Sequence, residues 1–198
     1  MPTARSFSMQ GKAIDMLAAA TDLFAEQGYS ATTTLQIARE AGVTEPLLYY
    51  HFNSKDGCYG YATRLAHTGY AEVLAAVEAV QGGMARLAAC TDRHCDFARE
   101  FPAQARLVSN PVPSRLRHGR EDIEAVIAES RRRLTRLLKA CLEEGSAAGE
   151  MTAVPAADHV AVMSSLLMAV LAGEIVVPGT AGRMRKTLSD FCRRALAA

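Results

Sequence analysis

Residues 42–57 read GVTEPLLYYHFNSKDG, and four ring side chains stand in a row within them: Tyr49, Tyr50, His51 and Phe52. The whole chain holds only 6 Tyr and 6 Phe. A helix that buries one face spaces its large residues three and four apart. Consecutive ones point all round, so some of these must face outward. Leu48 and Phe52 are four apart and share the inward face. Gly42 marks a turn on the N-terminal side and Asn53-Ser54 a break on the C-terminal side, so the stretch holds one short helix. Thr44 is its N-cap candidate. Glu45 and Pro46 fall in its first turn, where a carboxylate and a proline are both tolerated.

Working outward, TTTLQIAREAG predicts a second short helix over about 34–41. Thr33 and Gln36 form a capping-box pattern at its start. Two short helices joined by AGVT make a helix-turn-helix, with Ile37, Ala38, Val43, Leu48 and Phe52 as its small core. Upstream, KAIDMLAAATDLFAEQG places Ile14, Leu17, Ala18, Thr21 and Phe24 at helical spacing, closed by Gly28. Glu45, Pro46, Leu47, Tyr49, Tyr50 and His51 are left on or beside the outward face. A face this apolar and aromatic is normally covered. In a helix-turn-helix the second helix enters the DNA major groove. Tyrosine rings can pack on thymine methyls and sugars there, and their hydroxyls can reach phosphate oxygens.

Downstream the pattern stays helical: strand signals are nearly absent, and Ala, Leu, Glu and Arg dominate. Ser54 caps a helix from Lys55 to about Val80. Further helices are expected over 84–101, 102–109, 121–144, 155–177 and 181–197. The fold class is therefore all-α: a three-helix head over residues 1–56 and a helical bundle over 57–198, about nine helices in total. Net charge is +1, so the chain is no general electrostatic binder of nucleic acid or membrane. The head itself carries Arg5, Lys12, Arg39 and Lys55 against Asp15, Asp22, Glu26, Glu40, Glu45 and Asp56, a net −2. Its non-specific affinity for DNA should be weak, because that affinity comes from neutralising phosphates.

The order I-A, A-G-V-T, L-Y-Y-H-F, S-K within Thr32–Lys55 resembles the DNA-binding head of the TetR family of transcriptional regulators, and the likeness runs from roughly Gly11 to Tyr61. The resemblance implies a ligand-responsive repressor that binds a palindromic operator in double-stranded DNA as a homodimer, with an unknown small-molecule effector. It implies that Thr33 caps the second helix and lies with Thr34 near phosphate. Thr44 would cap the third helix beside the backbone. Glu45, Pro46, Leu47 and Tyr49 would face bases, and Tyr50, His51 and Lys55 would hold phosphates. Glu45 departs from the family, many members of which carry Lys, Arg, Gln or Ser there. A carboxylate repels phosphate but accepts from cytosine N4.

For the body, an apolar effector pocket is expected among Tyr61, Leu65, His67, Tyr70, Met84, His94, Phe97 and Phe101, with a histidine as its polar group. The dimer interface is expected on the most apolar segment, where Ser164, Leu167, Met168, Val170 and Leu171 stand among small residues, completed by Leu188 and Phe191. That segment contains Ser164, Ser165 and Glu174, which makes it a poor membrane span. The 5 cysteines and the lack of an apolar run in Met1–Met9 point to the reducing cytoplasm. Cys90 and His94 share a helix face while Cys95 turns away by about 100°. They read as core residues, so no metal and no cofactor is expected. The alternative reading is a metal- or redox-dependent sensor or enzyme using the helical body. Arg131, Arg132 and Arg133 read as a solvated face.

Overall fold

The computed structural model describes residues 4–113, 116, 121–173, 185–187, 190, 194 and 196, with side chains from Gly11 onward. The fold is all-helical. Among the described residues the helices with defined bounds run in order: α1 Ala4–Ala31, α2 Thr34–Glu40, α3 Glu45–Phe52, α4 Lys55–Glu78, α5 Gly83–Glu100, α6 Pro102–Ser109, α7 Glu121–Ala147 and α8 Ala156–Ala172. Residues 185–187, 190, 194 and 196 are helical within the stretch expected for the last helix.

α1 is broken at Gly28, whose φ of 79° only glycine adopts cheaply. Its buried face is Met16, Ala19, Ala20, Thr21, Phe24 and Ala25. Ile14, expected inward, is exposed, and so is Ala18. The alanine-rich sequence let two phases of the same periodicity compete, and Met16 rather than Ile14 meets the core. α2 starts with the expected reciprocal capping box: Thr33 accepts from the Gln36 amide, and the Gln36 side chain accepts from the Thr33 amide. Thr44 occupies the N-cap of α3 but makes no side-chain capping bond. Its hydroxyl is left outside.

Ile37, Leu48 and Phe52 close the core between α1, α2 and α3. Truncating such a residue to alanine costs about 2–5 kcal/mol. Asn53 turns the chain at φ 62°, and Ser54 caps α4 by accepting from the Gly57 amide. A Cβ at Gly57 would lie 1.8 Å from the Phe52 carbonyl oxygen, so α4 can leave α3 this sharply only with glycine there.

α4 is the spine, packed on α1, α5, α6 and α7. Its first turns are clamped to the end of α1 by the rings of Phe24, Tyr29 and Tyr59, whose centroids lie 5.2–5.9 Å apart. Arg133 of α7, expected in solvent, instead binds both carboxylate oxygens of Glu78 at 2.7 and 2.6 Å and the Ala71 carbonyl at 3.0 Å. It ties α7 to the far end of α4. α8 ends at Ala172 with Gly173 in the left-handed conformation. Among the described residues no helix is long and apolar enough to cross a membrane.

Candidate nucleic-acid interface and body cavity

The turn between α2 and α3 sets the face of α3 that looks outward. Leu48 and Phe52 are pinned inside, so the opposite side carries Pro46, Tyr49 and Tyr50, the tyrosines 45% and 70% exposed. Leu47 is half-buried against the core cluster. Glu45 is half-buried for another reason. Thr34 Oγ1 of α2 donates to Glu45 Oε1 at 2.5 Å and lies 3.3 Å from the Tyr49 hydroxyl. Thr34 is thus committed within the head. His51 is half-buried, its Nε2 enclosed without a partner among the described residues, and its ring stands edge-on to Tyr50 at 5.3 Å. Lys55 lies over the Tyr29 ring, 4.3 Å from its centroid, with Nζ 3.4 Å from the Ser30 carbonyl oxygen. Thr33 and Thr44 are exposed beside this face. α3 therefore presents aromatic rings and a carboxylate, flanked by hydroxyls and one lysine.

The body holds a cavity of about 510 Å³ between α4, α6, α7 and α8. Of the pocket residues expected from sequence, His67 and Tyr70 line it. The other six do not. Tyr61, Leu65 and Phe101 are exposed, Phe97 and His94 are buried in the core, and Met84 packs half-buried at the start of α5. The walls come instead from Val108, Leu134 and Met168, from the polar Ser130, Arg131 and Ser164, and from neighbours on the same helices. Ser130 was a legible sign, a lone hydroxyl on the apolar stripe of α7 between Ile127 and Leu134.

The two inner histidines of the body differ. His94 is fully satisfied: Nδ1 donates to the Cys90 carbonyl at 2.7 Å, so Nε2 accepts from the Tyr70 hydroxyl at 2.8 Å. Burial pushes its pKa down to about 4 against the opposing pull of that carbonyl. His67 lies 2.8 Å from Ser130 Oγ, which itself donates to the Val126 carbonyl at 3.1 Å. The tautomer that keeps both bonds has the proton on His67 Nδ1. Nε2 is then an enclosed acceptor with no partner among the described residues. Burial, helped by the Arg131 charge, pushes this pKa down to about 4 as well.

Among the described residues no group of three or more His, Cys, Asp or Glu side chains is placed to hold a metal. Burial pushes the Cys58 thiol up to about 12 and the Cys141 thiol up to about 11, and raises Cys95 too. Thiols held protonated in this way are inert. Cys90 and His94 are buried core residues.

The expected dimer residues are placed otherwise. Leu167, Val170 and Leu171 are buried within the chain's own core, and Ser164 and Met168 line the cavity. Leu188 and Phe191 lie outside the described residues. Apolar side chains stand on every side of α8, interrupted mainly by Asp158, His159, Ser164 and Ser165, so composition alone could not say which side faces inward. Its outer side is Ala161, Val162, Ser165 and Leu166, which line a shallow groove of about 400 Å³.

A family model described as "Bacterial regulatory proteins, tetR family" matches residues 16–62, which span α1 to the start of α4. The match is confined to the head, which is similar to the DNA-binding head of that family. The HTH-type transcriptional regulator HbdR of Aromatoleum sp. (strain CIB) is 58% identical over 41 residues, 21% of this chain and 18% of that protein. The chain thus matches well under half the length of the curated relatives, 18% of HbdR and 38% of a Mycobacterium bovis HTH-type regulator. Over the whole fold, the ketosteroid transcriptional regulator KstR2 of Mycobacterium tuberculosis superposes with a TM-score of 0.79 at 18% identity, covering 92% of this chain and 93% of that one. AibR, solved with isovaleryl coenzyme A and operator DNA, superposes with a TM-score of 0.78 at 16% identity, covering 91% and 97%. The likeness in the body is one of fold.

Proposed function

We propose that this chain is a DNA-binding transcriptional regulator of the TetR family and not an enzyme, working in the cytoplasm as a homodimer on a palindromic operator. Residues 1–56 would read DNA and 57–198 would bind effector and partner. The observation that carries this reading is the outward face of α3, where Tyr49 and Tyr50 stand exposed beside Thr33, Thr44 and Lys55. Glu45, Pro46 and Tyr49 would meet base edges. Thr33, Thr44, Tyr50 and Lys55 would meet phosphates, with Lys55 exchanging its present partners for them. Thr34 acts through Glu45 instead of phosphate.

The cavity supports an effector-controlled repressor. Its walls include His67 and Tyr70, which sit on the same helix that begins at Lys55 beside the reading helix. Lys55 to His67 spans 12 residues of α4, about 18 Å of rigid helix. A molecule that fits the cavity only when α4 is tilted shifts the head by differential binding to the two states. That AibR was solved with both an acyl-CoA and operator DNA supports the same division of labour here. The outer side of α8, around Val162 and Leu166, is the proposed dimer face.

The test is selection from a random DNA pool with the full-length protein, then footprinting. The expected product is a palindrome with half-sites about 34–36 Å apart, one helical turn or a multiple of it. Failure of any sequence to enrich would overturn the reading.

A further inference from the structure

The reading face of α3 contains a hydrogen-bond chain whose direction is fixed. A carboxylate only accepts. The single hydroxyl proton of Thr34 therefore goes to Glu45 Oε1, 2.5 Å away. Toward Tyr49, at 3.3 Å, Thr34 Oγ1 then has nothing but lone pairs, so the phenol must donate to it. The chain runs Tyr49 to Thr34 to Glu45 and uses both protons. What remains for an incoming base is Glu45 Oε2 and the lone pairs of the Tyr49 oxygen.

We propose that this relay makes the base-reading face of α3 acceptor-only, so that the operator carries at the Glu45 position a base offering an amino group in the major groove, cytosine first and adenine second. The proposal rests on the DNA-binding reading above. Of the four bases only cytosine and adenine offer a donor there, at N4 and N6; guanine offers N7 and O6, and thymine O4, all acceptors. Adenine's N6 sits beside the N7 lone pair, which repels a carboxylate, whereas cytosine has no acceptor next to N4 on that edge. Thr34 is the positioning residue: buried at the start of α2, it holds the carboxylate and the phenol in register across the turn.

The experiment uses the full-length protein and the duplex enriched from random DNA, with affinity measured for every single-base variant at one fixed salt concentration. Cytosine is expected at one position of each half-site, and its exchange for guanine should weaken binding about tenfold or more. Glu45→Gln supplies an amide donor and should cut that discrimination about tenfold while leaving other positions unchanged. Thr34→Val keeps the shape, breaks the relay and should relax the same position together with its neighbour under Tyr49. Circular dichroism checks that the head is folded, and Tyr49→Phe serves as the milder variant if Thr34→Val is not. The proposal is overturned if no position answering to Glu45→Gln holds cytosine or adenine. It is equally overturned if Glu45→Gln strengthens all sequences alike and changes the salt slope, which would set the carboxylate against phosphate. Those outcomes leave the regulator reading standing, whereas enrichment of no sequence removes both.

Discussion

Mild acid should destabilise the body through two histidines. His67 and His94 both have pKa values pushed from 6.5 down to about 4 by burial. The unfolded chain therefore takes up these protons first as pH falls. The stability owed to the neutral rings is complete above about pH 6.5 and declines through the window down to about 4. Between pH 7 and pH 5 the linkage relation gives a loss of about 2 kcal/mol per histidine, about 4 kcal/mol for the pair, a large part of an ordinary domain's stability. The geometry explains why the fold refuses the proton. A second proton on His94 would arrive at Nε2, where the Tyr70 hydroxyl already donates, and one on His67 would arrive at Nε2, which is buried with no hydrogen-bond partner among the described residues.

The assay is urea unfolding monitored by circular dichroism at pH 7, 6 and 5, at one protein concentration because a dimer's stability depends on it. The double variant His67→Gln with His94→Gln should be less stable at pH 7 but much flatter across the series. Carboxylates add their own dependence lower down: Arg133 holds Glu78 below the usual range, so that contribution is lost only as pH falls beneath 4.5. A wild-type loss under about 1 kcal/mol between pH 7 and 5, or an equal loss in the double variant, would refute the assignment of this window to the two rings.

Tyr49→Ala should change which sequences bind, whereas Lys55→Ala should weaken all alike and lower the salt slope by about one unit, both read by binding titrations on operator variants. Val162→Arg with Leu166→Arg should give folded monomers by ultracentrifugation, since those side chains stand on the outer side of α8. Leu167→Arg with Val170→Arg should instead unfold the body, because each buries an unpaired charge, a cost of several kcal/mol; the circular dichroism of the two pairs separates the cases. Ala169→Trp fills the cavity and should abolish release from the operator by any compound that releases the wild-type protein, with DNA affinity in its absence unchanged.

The head was legible because its signals are local. The capping pair Thr33–Gln36, the break at Asn53-Ser54 and the inward spacing of Leu48 and Phe52 each depend on neighbours within one turn, and the structure keeps them all. Ile14 escaped for want of contrast: in an alanine-rich helix one large residue does not fix the phase. α8 escaped for the opposite reason. When large apolar residues stand on every side of a helix, periodicity says that it is buried but not against what, so Leu167 and Val170 could be placed at a subunit boundary when they fill the core.

The cavity lay further from reach, since it is a property of how four helices cross. Its walls join α4 to α6, α7 and α8, and no spacing within one helix reports a gap between four of them. The Thr34–Glu45 bond marks the boundary between the two kinds of information. Its partners are 11 residues apart on different helices, yet the tight turn between α2 and α3 makes their meeting nearly local. Glu45 reads by itself as a misfit, a negative charge offered to a polyanion. With Thr34 holding one oxygen and Tyr49 closing the chain behind it, the same carboxylate becomes a fixed acceptor. A weakly charged head of net −2 then has a use for it: an interface with little phosphate attraction must take more of its binding energy from base edges. Binding titrations across salt concentrations should therefore give a slope shallower than a basic helix-turn-helix gives, with a steeper penalty for a wrong base. A slope as steep as a six-phosphate contact would produce, with little loss on mismatch, would contradict it.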